Sequence, residues 1–397
     1  MDARSHLAFA LTLAVGLTAC TAAPSEVAAP SPRASARASD GTPAPSATPS
    51  PRAILSPAQS PTPPSTEGRL DLVATIHGDI TPKSVVDSST GLVFAQNMMY
   101  RHTITVYDRD LRLVATIPDL VRLARFGVEG YPRPVHGAPV EAAFTPDGAH
   151  AYVSNYSMYG PGFPRPGHDS CSPANGYDDS YVYRIDVERL RIDEAIRVGS
   201  VPKFVAVTPD GRTLLVSNWC SYDLSVIDVQ RAREIDRIPL GPYPRGIAVD
   251  PRSRLAYVAV MGTRNIARVS LRTGHVGWVS NVGGGPRHLV MDPTGHFLYV
   301  TLNADGTVAK VDLDTRRVVV AVRTGVNPRS MAISADGRSL YVVNYGSATV
   351  TKLRARDLHV LQVVPTNPRP IGITVDAATG RVWVACYGGS IMVFRDA

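Results

Sequence analysis

Five basic residues stand at one position of a repeated phrase, each directly after a proline. The prolines are separated by 42 residues in the last four intervals. Arginine suits two-point contact with carboxylate or phosphate, and lysine supplies a compact positive charge. If the fold brings these positions together, the spacing predicts an anion site. The alternative is that each cation bonds a carbonyl or carboxylate of the neighbouring repeat. The five cations are Lys83, Lys203, Arg245, Arg287 and Arg329.

Other side chains should face the same ligand. Aromatic residues occupy a second recurring position of the repeat. There they could stack on a bound molecule or merely cover the ends of the repeats. These residues are Tyr156, Trp219, Tyr345 and Tyr387, with Tyr100 in the first repeat. Glu141 is the only carboxylate two positions after an aligned proline, and His288 follows Arg287. Both are candidate ligand contacts.

Metal and catalytic signatures are weak. His102, His136, His168 and His288 could approach a ligand together with Asp169, so a metal or haem site is conceivable. None of them forms a ligand-spaced pair, and C-x-x-C-H, G-x-S-x-G, H-E-x-x-H and P-loop motifs are missing. We therefore predict no metal and no cofactor, and we assign no catalytic residue. A non-enzyme is favoured.

The repeat also predicts the elements that position these residues. The aligned prolines stand at 82, 139, 202, 244, 286, 328 and 370. Each unit holds apolar runs of period two joined by turns such as "PDG" and "ADG", which predicts four short strands per unit. Seven such units predict an all-β, seven-bladed propeller. Residues 70–76 (LDLVATI) nearly repeat 111–117 (LRLVATI) and should complete the last blade by pairing near 391–394.

Short signatures within the strands resemble those of a known family. "YVSN" at 152–155, "LVSN" at 215–218, "YVTL" at 299–302 and "YVVN" at 341–344 resemble the YVTN-repeat propellers of the surface-layer type. Val260, Leu302 and Cys386 depart from the motif asparagine. The resemblance implies an extracytoplasmic binding or scaffold protein. Related seven-bladed propellers include lactonases and the domain that holds haem d1 in a nitrite reductase.

The N-terminal region predicts export. Residues 1–20 carry an apolar run that ends in "LTAC" and resemble a lipoprotein signal, which would leave Cys20 lipidated and anchored in a bacterial membrane. The alternative is an ordinary secretory signal. Residues 21–69 include 36 Pro, Ala, Ser or Thr and predict a disordered stalk, so the propeller should span 70–397.

Cysteine and charge usage restrict the partners. Because an exported protein favours oxidation, we predict a disulfide between Cys171 and Cys220, with Cys386 as a buried free thiol. Cys171 lies in a large insertion, residues 157–180, hereafter the insertion. A net charge of +7 with 19% charged residues is too even to predict nucleic-acid binding.

These observations predict a monomeric, extracytoplasmic, lipid-anchored propeller. Its leading function is binding or scaffolding, with an anionic or polar ligand or a protein partner in the central funnel. The alternative is an enzyme that uses the same funnel, either lactonase-like or a cofactor-bearing oxidoreductase.

Overall fold

A computed structural model of the protein describes Ser65 and residues 68–396. Cys20, the signal 1–20 and nearly all of the stalk lie outside the described residues. In the described part the chain forms seven four-stranded antiparallel sheets around one axis, which confirms the predicted seven-bladed propeller. The innermost strands of neighbouring blades contact one another around that axis. No helix in the described residues has the length and apolar character needed to cross a membrane.

The strands are short. In blades 1 to 6 they follow one another in chain order from the axis outward, and in blade 7 the N-terminal strand is outermost. Blade 1 consists of β2 (Pro82–Asp87), β3 (Leu92–Asn97), β4 (Thr103–Asp108) and β5 (Leu113–Pro118). Blade 2 consists of β8 (Pro139–Phe144), β9 (His150–Asn155), β10 (Ser180–Asp186) and β11 (Arg191–Val198). Blade 3 consists of β12 (Pro202–Val207), β13 (Thr213–Asn218), β14 (Asp223–Asp228) and β15 (Arg233–Pro239). Blade 4 consists of β16 (Pro244–Val249), β17 (Leu255–Val260), β18 (Asn265–Ser270) and β19 (Val276–Val279). Blade 5 consists of β20 (Pro286–Met291), β21 (Phe297–Leu302), β22 (Thr307–Asp312) and β23 (Arg317–Arg323). Blade 6 consists of β24 (Pro328–Ile333), β25 (Ser339–Asn344), β26 (Thr349–Arg354) and β27 (Val360–Pro365). Blade 7 consists of β28 (Pro370–Asp376), β29 (Arg381–Cys386), β30 (Ser390–Asp396) and β1 (Leu70–Ile76).

Smaller elements occupy two insertions in the repeat, one between blades 1 and 2 and one within blade 2. Between blades 1 and 2, a two-residue hairpin pairs β6 (Leu120–Val121) with β7 (Val135–His136), and a 3-10 helix spans Leu123–Phe126. A second 3-10 helix, Pro173–Asn175, lies in the insertion 157–180 of blade 2. Both insertions therefore keep some backbone order of their own.

The turns between the first two strands of a blade repeat one hydrogen-bonded design. In blade 3 the Asp210 carboxylate accepts a hydrogen bond from the Thr208 hydroxyl at 2.6 Å and from the Arg212 amide at 3.1 Å. Gly211 adopts φ +70°, a conformation that costs glycine little. The P-D-G and A-D-G phrases therefore act as tight hairpin turns, and they fix the register of the strands that follow.

The hydrophobic core lies between adjacent blades. The second strand of each blade is almost entirely buried, as in β25, where all six residues are buried. One cluster joins Tyr257 and Ile266 of blade 4 to Leu298 and Val300 of blade 5. Outer strands are more exposed, as in β23, where five of the seven residues are exposed. Each blade thus depends on both neighbours for its apolar contacts, and an open end would leave one face uncovered.

The ring closes as the sequence predicted. β1 pairs antiparallel with β30, from Leu70 opposite Asp396 to Ile76 opposite Ile391. A buried polar clasp secures the closure. Asp396 pairs with Lys352 of blade 6 and accepts a hydrogen bond from the Tyr341 hydroxyl, and Lys352 also bonds the Gly68 carbonyl at 3.1 Å. The clasp ties both chain ends of the propeller to blade 6.

Replacing Asp396 with asparagine should weaken the clasp. Lys352 is fully buried, so loss of its carboxylate leaves a charge that the interior solvates poorly. We expect the free energy of unfolding to fall by about 3–5 kcal/mol. Urea denaturation measures the change. Asp110→Asn is the control, because Asp110 is 70% exposed and its pair with Arg112 contributes little. Equal midpoints for the two variants would contradict a role for the clasp.

Candidate functional site

The backbone before each inner strand turns sharply. In five blades the residue directly before the aligned proline lies in the left-handed region, with φ between 52° and 64°. These residues are Val201, Tyr243, Gly285, Asn327 and Arg369. Such a conformation is unusual for a β-branched residue such as Val201, so the turn is held by its surroundings. Three positions before the aligned prolines, only Gly241 and Gly283 among the described residues adopt positive φ.

A β-bulge then places the residue that follows each proline. In all seven blades the pairing register shifts directly after the proline, for example between Pro202 and Phe204. A bulged residue leaves the ladder and its side chain is re-aimed. Lys203 and its equivalents are therefore outside regular pairing. Lys83, Lys203, Arg245, Arg287 and Arg329, which all occupy this slot, are called the cation ring below.

A backbone hydrogen bond brings the aromatic position next to the cations. The amide of Trp219 donates to the Val201 carbonyl at 2.9 Å, and Tyr345 and Tyr387 make the equivalent bonds in blades 6 and 7. The carbonyl belongs to the strained residue before the proline. The same strained turn therefore holds both the cation and the aromatic ring of a blade at the mouth of the channel.

Aromatic faces contact four of the five cations. The charged group of Arg329 lies 3.8 Å from the ring centre of Tyr345, and that of Lys83 lies 5.3 Å from Tyr387. Lys203 Nζ is 4.2 Å from Tyr156 and 5.3 Å from Trp219, and Arg245 is 5.7 Å from Trp219. Arg287 instead contacts the sulfur of Met261 at 3.8 Å. By contrast, Tyr100 is 83% exposed.

Among the residues that the structure describes, one cation of the ring has a carboxylate partner. Lys203 Nζ lies 2.6 Å from Asp169 Oδ1. Within residues 68–396, no carboxylate lies within salt-bridge distance of Lys83, Arg245, Arg287 or Arg329. The Nε of Arg329 is buried and has no hydrogen-bond partner among the described residues. Among the described residues, a carboxylate from the neighbouring blade therefore pairs with Lys203 and with none of the other four cations.

The cations act on one another. Burial lowers the pKa of Lys83 well below its usual value, and the charges of Arg245, Arg287 and Lys203 lower it further. Burial and the charge of Arg329 lower the pKa of Arg245 to about 10. Like charges converge here in a poorly solvated place, and their repulsion favours an anionic ligand.

A small cavity of about 230 Å³ lies along the inner strands. Glu141 and His288 line it with Phe204 and Ser330. Burial raises the pKa of Glu141 to about 7, although Ser84, Arg245 and Lys83 oppose the rise. Burial, with Arg245 and Arg287, lowers the pKa of His288 to about 3. The cavity thus holds a neutral imidazole and a carboxyl group that changes charge near neutral pH.

Two other predicted histidines share one carboxylate. Asp119, almost fully buried, lies 3.1 Å from Nδ1 of His102 and 2.9 Å from Nδ1 of His136. Nδ1 of His102 also lies 2.8 Å from the Gly137 carbonyl, which can only accept, so that nitrogen donates. The arrangement ties the short β6–β7 hairpin to blade 1. Among the described residues, no group of three or more potential ligands could hold a metal ion.

The insertion lies beside the cation ring and is covalently fixed there. Cys171 and Cys220 are joined by a disulfide, with Cα atoms 5.4 Å apart. The Tyr222 hydroxyl donates to the Cys171 carbonyl at 2.7 Å, and Trp219 Nε1 donates to the Asp169 carbonyl at 2.8 Å. Cys386 is a buried free thiol.

Sequence reasoning missed two residues of the site. Asp169 was considered only as a metal ligand, and Met261 was not considered. Met261 could have been found, because it occupies the aromatic slot of blade 4 by the 42-residue period. No sequence signal places Asp169 on Lys203, because its position depends on the path of a long insertion.

Comparisons with known proteins support the propeller fold. A family model described as the Cytochrome D1 heme domain matches residues 285–387, which include Arg287, His288 and Arg329. Among solved structures, the chain is similar to "Kuenenia stuttgartiensis Hydrazine Synthase", with TM-score 0.61 and 20% identity over 81% of this chain and 97% of that chain. At that identity the likeness shows the fold alone. No curated protein matches. The YVTN-repeat resemblance stays a prediction.

Glu141 should make stability depend on pH. The unfolded carboxyl loses its proton near pH 4.5 and the folded one near 7, so the folded state holds the extra proton between these values. Stability then falls as pH rises through this window, by up to about 3 kcal/mol. Glu141→Gln should lack this part of the fall. Urea denaturation at pH 4.5 and pH 7.5 measures it, with the exposed Glu129→Gln as control. A wild-type pH slope in Glu141→Gln would show that Glu141 is not the group responsible.

Proposed function

We propose that the propeller holds a planar aromatic cofactor with several carboxylates, of the haem class, across the cation ring. One observation carries the proposal: four converging cations have no carboxylate partner among the described residues, and aromatic rings contact three of them. This favours a cofactor-bearing module over a scaffold without a ligand. The comparisons support the cofactor class, because the family whose model matches residues 285–387 is named for a haem.

The side chains present fit such a group. The carboxylates of a tetrapyrrole would meet Lys83, Arg245, Arg287 and Arg329, and the orphaned Nε of Arg329 would gain an acceptor. Tyr345 and Tyr387 offer aromatic faces next to the cations. Tyr and Arg surfaces of this kind suit a flat, conjugated, negatively charged molecule.

The cavity along the inner strands would contribute two further groups to the cofactor site. His288 lines it as a neutral imidazole, the form that ligates iron. Glu141 lines the same cavity and can hold or release a proton near neutral pH. A bound haem would supply one-electron chemistry, and the role of the chain is to bind it, orient it and place Glu141 nearby.

The proposal extends to the cell envelope. The Cys171–Cys220 disulfide suits an oxidising compartment, so we propose an extracytoplasmic location. Lipid attachment at Cys20 and a monomeric state belong to the same proposal.

Titration of the full chain with haemin and with coproporphyrin III tests the proposal. We expect red-shifted Soret absorbance and saturable binding in wild type. The double variant Arg245→Ala with Arg287→Ala should bind at least about 100-fold more weakly, because two charge-assisted contacts are lost. Its matched control is Arg233→Ala with Arg317→Ala, which removes two exposed outer-strand arginines. Equal affinities for both double variants, or no wild-type binding of either compound, would refute the proposal.

A further inference from the structure

We propose that Asp169 is a built-in counter-anion that occupies the Lys203 position of the cation ring and thereby limits which carboxylates a ligand can place there. This inference rests on the proposed function, because it concerns the same site. It assigns a specificity-determining role to a residue of the insertion. A ligand would use Lys83, Arg245, Arg287 and Arg329, while the protein itself supplies the anion at Lys203.

The contacts of Asp169 match those of a ligand carboxylate. Its Oδ1 lies 2.6 Å from Lys203 Nζ and accepts a hydrogen bond from the Tyr156 hydroxyl at 3.3 Å. Lys203 lies over the rings of Tyr156 and Trp219, so the carboxylate is held at an aromatic-lined cation. These are the interactions that the proposed function assigns to a bound carboxylate elsewhere in the ring.

The exposure of the two partners is unequal. The Lys203 side chain is 5% exposed, whereas that of Asp169 is 71% exposed. The cation is therefore part of the buried wall of the site, and the carboxylate contacts it from the solvent side, as a ligand would. Asp169 also lowers the net repulsion in the ring, since its charge acts favourably on Arg245, Arg287 and Arg329 as well.

The insertion holds Asp169 through bonds that do not involve its carboxylate. Its backbone carbonyl accepts the Trp219 Nε1 hydrogen bond, and the disulfide fixes Cys171 two residues later. The Tyr222 hydroxyl supports the same segment at the Cys171 carbonyl. Changing the side chain of Asp169 should therefore free Lys203 without releasing the insertion, which makes the role of the carboxylate separable from that of the loop.

Calorimetric titration with benzene-1,2,4,5-tetracarboxylate tests the inference on the oxidised full chain. Asp169→Asn should bind this probe at least about tenfold more tightly than wild type, because Lys203 becomes available and one repelling charge is removed. The gain should disappear in the double variant Asp169→Asn with Lys203→Met. Asp178→Asn is the matched control, because Asp178 lies in the same insertion and bonds the Arg165 amide at 2.7 Å instead of a ring cation. It should bind like wild type.

The outcomes separate this inference from the proposed function. If wild type binds the probe, Arg245→Ala with Arg287→Ala loses binding, and Asp169→Asn binds no more tightly than wild type, Asp169 is a structural anchor and the inference is overturned while the proposed function stands. An equal gain in Asp178→Asn would also overturn it, by showing an effect of net charge alone. If neither wild type nor Asp169→Asn binds any polycarboxylate, the proposed function fails and this inference fails with it.

Discussion

The antiparallel pairing of β1 with β30 is the constraint on which the rest of the structure depends. It makes seven repeats into a closed ring with one axis, and only then does a recurring sequence position become a set of neighbours in space. The core reinforces this, because its apolar clusters lie between blades and not within them. The buried pair of Lys352 and Asp396 secures the same junction. Function and stability therefore rest on one closure.

Closure of the ring brings buried like charges close together. Equivalent slots after each proline place five cations at one mouth, where burial and mutual repulsion lower their pKa values. The fold tolerates this because aromatic faces and one carboxylate partly offset the repulsion. Under the proposed function, the remaining unbalanced charge would be relieved by an anionic ligand, in the manner of a preorganised site.

The sequence predicted the features that follow from periodicity. The slots of Arg245 and Arg287 recur at 42 residues, and the closing strand 70–76 nearly repeats 111–117. Pattern alone therefore finds them, together with the blade count. It could not predict the β-bulge after each proline, because a bulge depends on the pairing of two strands and leaves no residue signature. Nor could it join His102 to His136 through Asp119, since that contact depends on how the segment between blades 1 and 2 folds back.

The two insertions break the sevenfold repetition of the blades. A perfect repeat would offer equivalent positions and could not fix the orientation of a flat ligand within the ring. Blade 2 removes that equivalence: its insertion covers one side of the mouth, and its Asp169 cancels one cation. Ile371 and Val140 leave two further slots without charge. Among the described residues, the cations without a carboxylate partner are therefore Lys83 on one side and Arg245, Arg287 and Arg329 in consecutive blades on the other. Under the proposed function, an uneven arc of this kind would distinguish the edges of a planar polycarboxylate, which a uniform ring could not do.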